Sequence, residues 1–304
     1  MVSCDWRHFG YGCNSSWPGS DVGGKMAIPR VSKHIHRALI AMLLVVGVVI
    51  SAPLPALAAT LWLDGSLASD CILGDYSSAA RNCTGTSGNA YNTIAEILTN
   101  HAGGDTVEIR AGTYVRTTND RDIGALDLTK SGSAGAPTIF RGYSVDQSHG
   151  FSNQVIICAH ASCDLNPDPN ATVPAGCTPP SYNLNGSNCY YPNPAITIAC
   201  NYCEIRNLRT FGQVAMLSGT NVRIVDSWLS GGGPHIHQGS VVMIACTAPV
   251  CPGVVIHNNL IQHSVFGEHV LNGSAIMGYN FTATITQNTF RDNYGCYFRF
   301  KDTG

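Results

Sequence analysis

The feature that most constrains this chain is a short template that recurs through its second half. In Val222-Arg223-Ile224-Val225-Asp226-Ser227-Trp228-Leu229, Val254-Val255-Ile256-His257-Asn258-Asn259-Leu260-Ile261 and Ala283-Thr284-Ile285-Thr286-Gln287-Asn288-Thr289-Phe290, an isoleucine is followed three residues on by Ser or Asn and five residues on by an apolar residue. Cys203-Glu204-Ile205-Arg206-Asn207-Leu208 is a looser copy, its Asn one place early. The isoleucines at 205, 224, 256 and 285 stand 19, 32 and 29 residues apart, the size of a solenoid coil with variable loops. One such unit has too little apolar surface to fold alone, so equivalent positions must stack into continuous internal rows with parallel strand pairing between coils. Asn at the turn tolerates left-handed backbone, and its amide can bond to the coils above and below. The expected fold is therefore all-β, a right-handed parallel β-helix. A β-sandwich or propeller is the alternative, but uneven loops around a fixed register favour the solenoid.

Upstream of the repeats, Tyr91 to Asn100 puts Ile94, Ile97 and Leu98 on one helical face with Asn92 or Thr93 as cap, which predicts one short N-terminal cap helix. Val107 and Ile109 alternate with polar residues, and strands are expected again around Leu126 and Leu128 and over 138–143. Residues 158–194 are rich in Pro, Asn, Cys and Gly without apolar period, and read as an insertion loop pinned by disulfides. At the start, a basic run from Met26, an apolar stretch from Ala38 to Ile50 and Ala56-Leu57-Ala58 have the order of a signal peptide, so 26–58 is expected to be removed and 59–304 to form the β-helix domain. The apolar stretch is too short for a spanning helix, and Pro53 and Pro55 follow it, so no stable membrane insertion is expected. Residues 1–25 read as an upstream segment that is not translated, and the motif under way at 301–304 reads as one cut short at the C-terminus.

Of 13 cysteines, 11 follow Ala58, and ten fall into near neighbours (71/83, 158/163, 177/189, 200/203, 246/251), with Cys296 left over. In an exported chain, secreted or periplasmic, this suits local disulfides. Cys200-x-x-Cys203 also has zinc-ligand spacing, but no second pair of ligands follows at finger-like distance. After Ala58 the chain carries 12 Lys+Arg against 17 Asp+Glu, with no basic stripe, which argues against a nucleic-acid partner.

The cap helix, the segments at 104–114 and 131–143 (Gly-Asp-Thr-Val-Glu-Ile-Arg-Ala-Gly-Thr-Tyr and Ser-Gly-Ser-Ala-Gly-Ala-Pro-Thr-Ile-Phe-Arg-Gly-Tyr) and the Asn-rich coils resemble the pectate-lyase-like superfamily. More narrowly they resemble its alginate lyase and chondroitinase B branch, over roughly Leu61 to Gly304 apart from the insertion. The resemblance implies an extracellular acidic polysaccharide as partner, β-elimination as chemistry and Ca²⁺ as cofactor. In that branch a lysine base follows two glutamates that hold calcium, seven and five residues before it. Lys301 matches the base, but Tyr294 and Cys296 occupy the glutamate places, and the family's arginine would fall beyond Gly304.

Two groups of residues could carry chemistry. Ser230 to Ser240 and Ser264 to Ser274 are loops of equal length, which would stack His235 over His269 with His237 and Glu268 beside them, as substrate or ion ligands; solvent-facing polar loops are the alternative. Arg299 and Lys301 share one face of a strand on the following coil. Removing the proton beside a uronate carboxylate needs a base and a cation that neutralises the carboxylate, parts that Lys301 and Arg299 can fill. Hydrolysis would require two facing carboxylates, and Asp226 and Asp292 are the nearest approach to such a pair. The functional expectation is thus a polysaccharide lyase, with a non-catalytic glycan-binding or surface-scaffold β-helix as alternative.

Overall fold

The computed structural model describes residues 58–115, 124–146, 155–159, 163, 194–231, 240–246, 250–264, 274–293 and 296–301, with the backbone alone described at 296, 299 and 301. Its chain is a right-handed parallel β-helix. β1 (Thr60–Leu63) and β2 (Asn89–Tyr91) pair in parallel and are followed by the helix α1 (Ile94–Asn100). Thr93 caps that helix, its hydroxyl accepting from the Glu96 amide, and Ile97 is the residue the helix buries in the core.

Six coils follow, each contributing one strand to each of three sheets. The first is β3 (Thr106–Ile109), β4 (Gly112–Val115) and β5 (Leu126–Leu128). The second is β6 (Thr138–Gly142), β7 (Val155–Cys158) and β8 (Ile196–Ala199). The third is β9 (Cys203–Arg206), β10 (Arg209–Phe211) and β11 (Val214–Ser218). The fourth is β12 (Arg223–Val225), β13 (Trp228–Ser230) and β14 (Val242–Ala245). The fifth is β15 (Cys251–His257), β16 (Leu260–Gln262) and β17 (Ser274–Tyr279). The sixth is β18 (Phe281–Thr286), β19 (Thr289–Arg291) and β20 (Cys296–Lys301). Every strand pairing is parallel, giving a first sheet of eight strands and a second and third of six each.

The template isoleucines are the reason for this stacking. Phe140, Ile205, Ile224, Ile256 and Ile285 lie in one register row of the first sheet, and the first four are buried in the common core. The template's apolar fifth residue supplies the second sheet's inner row through Leu229, Ile261 and Phe290. Burying one such aliphatic side chain is worth about 1.5–3 kcal/mol, and the rows repeat it coil after coil.

The corner between first and second sheets divides its work between two positions. Asn207, Asp226, Asn258 and Gln287 take the left-handed backbone, with φ of 53°, 51°, 53° and 56°. The next position carries the ladder: Asn259 accepts from the Ser227 amide at 2.9 Å and donates to the Ile224 carbonyl at 2.9 Å and to Asn288 at 3.0 Å. Asn207 therefore looked one place early because it fills the left-handed position, while Leu208 takes the ladder place and donates its amide to the Ser227 hydroxyl.

Cys71–Cys83, Cys158–Cys163, Cys200–Cys203 and Cys246–Cys251 are disulfides, so the zinc reading of Cys200-x-x-Cys203 is overturned. The 177/189 pair lies outside the described residues, as do most of the insertion and residues 26–57 of the proposed signal sequence. Among the described residues no helix is long and apolar enough to cross a membrane.

Candidate functional site

Strand alternation assigns the outer face of the third sheet. Leu126, Ile196, Val214, Val242 and Ile276 form one inward row, so Asp127, Thr197, Ala215, Met243 and Met277 form the adjacent outward row, and the backbone of Arg299 stands opposite Met277. Lys301 follows two residues on, its backbone opposite Tyr279. The register thus places Arg299, on the last coil, in the row that begins on the first coil with Asp127, whose carboxylate accepts from the Thr197 hydroxyl. A lone acid in a three-residue strand gave Asp127 no signature in the sequence; only the register joins it to Arg299.

The two histidine loops leave the coil between the second and third sheets and return to this row. His235, His237, Glu268 and His269 lie outside the described residues, but the loop ends are fixed. Ser230 pairs with Gln262, and Val242 with Ile276, so the second loop holds two more residues than the first. Ser230 and Ser264 are therefore not equivalent, whereas Ser240 and Ser274 fall opposite each other by the same register. Counting serine to serine hid this, because the first serine of each loop sits at a different depth in the coil. All four serines are buried, which anchors both loops at their bases.

Charges on the first sheet pair with one another. Arg141 pairs with Glu108, Arg223 with Glu204 at 2.9 Å, and Arg206 with Glu204 at 3.0 Å and Asp226 at 3.5 Å. Asp292 pairs with Arg291 at a different corner, so Asp226 and Asp292 do not face each other and supply no hydrolytic pair.

The strongest electrostatic perturbation lies under the N-terminal cap. Burial works to raise the Asp64 carboxyl, but bonds from Arg81, Tyr76 and Ser66 outweigh it and hold it well below the usual carboxylate range. Arg110 bonds Asp146 and the Tyr76 hydroxyl, and burial pushes the Tyr114 phenol up to about 12. With every charge in it paired, this cluster reads as a buried polar network that fastens the Cys71–Cys83 loop to the first coil. The Cys71, Asp75 and Cys83 grouping is not a metal centre, since both thiols are consumed by the disulfide.

A cleft of about 730 Å³ opens beside Tyr279, lined by Val250, Asn280, Phe281, Ala283, Ile285 and Phe300. Ala283 and Ile285 continue the inward rows of Val254 and Ile256, so the cleft opens onto the interior at the last coil.

Calcium is not accommodated by the residues at the glutamate places. It takes oxygen ligands, and Cys296 stands at one of those places, opposite Ser274.

No protein-family model matches the sequence, and no curated protein matches it. Among solved structures, a rhamnogalacturonan lyase is similar, with 13% identity, a TM-score of 0.43, and coverage of 81% of this chain and 63% of that one. The chain thus spans under two thirds of that structure's length.

Proposed function

We propose that this chain is a secreted carbohydrate-active β-helix protein that cleaves a uronate-containing polysaccharide by β-elimination on the outer face of its third sheet. The observation that supports the reading is the register of β20, in which Arg299 and Lys301 stand two residues apart on one strand, opposite Met277 and Tyr279, on the coil after the two histidine loops. Arg299 holds the uronate carboxylate and so makes the adjacent C–H more acidic. Lys301, as the free amine, takes that proton; the electron pair forms a ring double bond, and the bond to the glycosidic oxygen breaks as that oxygen leaves with its electron pair and takes a proton from water. His235, His237, Glu268 and His269 contact the sugar from the loops. No step passes through calcium.

A non-catalytic glycan-binding β-helix is the second reading, favoured by Cys296 in a place where the resembled branch has a glutamate. Mass spectrometry of the products separates the two. Elimination leaves an end that is lighter by one water than a hydrolysed end, whereas a binding protein leaves the polymer intact. Intact polymer after prolonged incubation with folded protein would end the lyase reading.

A further inference from the structure

Of the arginines whose side chains are described, Arg81, Arg110, Arg141, Arg206, Arg223 and Arg291 each pair with a carboxylate. Arg209 does not. It lies on the second sheet, where Thr210 and Leu229 point into the core and Arg209, Phe211 and Trp228 therefore point out. Its guanidinium carbon sits 3.8 Å from the centre of the Trp228 ring and 4.6 Å from that of Phe211, so two aromatic faces hold the cation.

Burial pulls this guanidinium below arginine's usual value, and no acid compensates. Its Nε is sealed from solvent without a hydrogen-bond partner, as is the Trp228 Nε1 in the adjacent register position. A half-buried cation, fixed in orientation by two rings and with no counter-charge among the described residues, presents a planar donor fork suited to a carboxylate or sulfate.

We propose that Arg209, held between Phe211 and Trp228, is a binding subsite for the anionic group of an acidic sugar, on a different sheet from Arg299 and Lys301. The proposal rests on the acidic-polysaccharide reading for its ligand class. It gives the protein a second hold on the polymer, away from the reacting row.

Trp228 is itself the reporter. In the Lys301→Ala protein, which keeps the ligand uncut, intrinsic fluorescence is titrated with galacturonate trimer, a chondroitin sulfate tetrasaccharide and neutral cellotriose. The expected result is a saturable change with an acidic oligosaccharide and none with cellotriose. Whichever acid responds identifies the carboxylate or the sulfate as the group bound. Arg209→Gln weakens that binding about tenfold or more, the worth of a charge-assisted pair, with an unchanged thermal midpoint. Arg209→Lys, which keeps the charge and loses the fork, falls between.

Equal affinity in the Arg209→Gln protein would overturn the subsite. If elimination is observed and affinity is unchanged, the subsite fails and the lyase reading survives. If binding depends on Arg209 and no elimination is seen, the reverse holds. If no acidic oligosaccharide changes the fluorescence, the subsite is rejected.

Discussion

Replacing Asn259 by Ala tests the physical core of the fold. Its side chain is fully buried and makes three hydrogen bonds: it accepts from the Ser227 amide and donates to the Ile224 carbonyl and to Asn288. Truncation leaves the Ser227 N–H buried without that acceptor, at about 1–3 kcal/mol, and removes two further bonds worth about 1 kcal/mol each. The expected loss is about 3–5 kcal/mol, which in a domain of this size corresponds to a fall of about 6–20 °C in Tm. Asn288 makes the same kind of contacts one coil later, donating to the Ile256 carbonyl at 2.8 Å, but it is part-exposed, so water replaces what truncation removes and Asn288→Ala costs about 1 kcal/mol. Urea unfolding of both variants, followed by far-UV circular dichroism, measures the two costs. Because coils interact with their neighbours alone, hydrogen exchange should accelerate in β12 to β17 before it does in β3 to β8. Equal costs at the two positions, or a cost below 1 kcal/mol at Asn259, would refute the ladder argument.

Other predictions follow from particular contacts. Asp64 has a lowered folded pKa, so its stabilising contribution is present above the unfolded value of about 4 and is lost as pH falls below it; the urea midpoints of wild type and Asp64→Asn should differ at pH 7 and converge towards pH 2. Gly219 has φ +119°, and an added Cβ would sit 2.1 Å from the Cys200 carbonyl oxygen, so Gly219→Ala should cost more than about 2 kcal/mol in thermal unfolding. With Cys200 and Cys203 joined to each other, a zinc chelator should leave the Tm unchanged while a thiol reductant lowers it, and the opposite pattern would restore the metal reading.

The architecture was legible because a solenoid writes its register into its sequence. Ile205, Ile224, Ile256 and Ile285 mark one internal row, and the near-neighbour cysteines needed no long-range information to be paired. Where a position depends on loop length the reading weakened. The equal serine spacings of the two histidine loops concealed a shift of two residues, which is visible once the strands at both ends are in register. Arg209 and Asp127 were not legible at all. Each is an ordinary residue in a short strand, and each gains meaning from neighbours a full coil away: Trp228 for the arginine and Thr197 for the acid. Asp226 and Asp292, at neighbouring template positions in the sequence, lie at different corners of the coil.

The most direct test of the central claim is absorbance at about 235 nm, where the double bond left by elimination absorbs, during incubation with alginate, pectate and chondroitin. The account predicts a rise on at least one polymer that is abolished in Lys301→Ala, reduced at least about a hundredfold in Arg299→Ala and unaffected by calcium chelation. A flat trace on all three from folded protein, or a rise that survives Lys301→Ala, would contradict it.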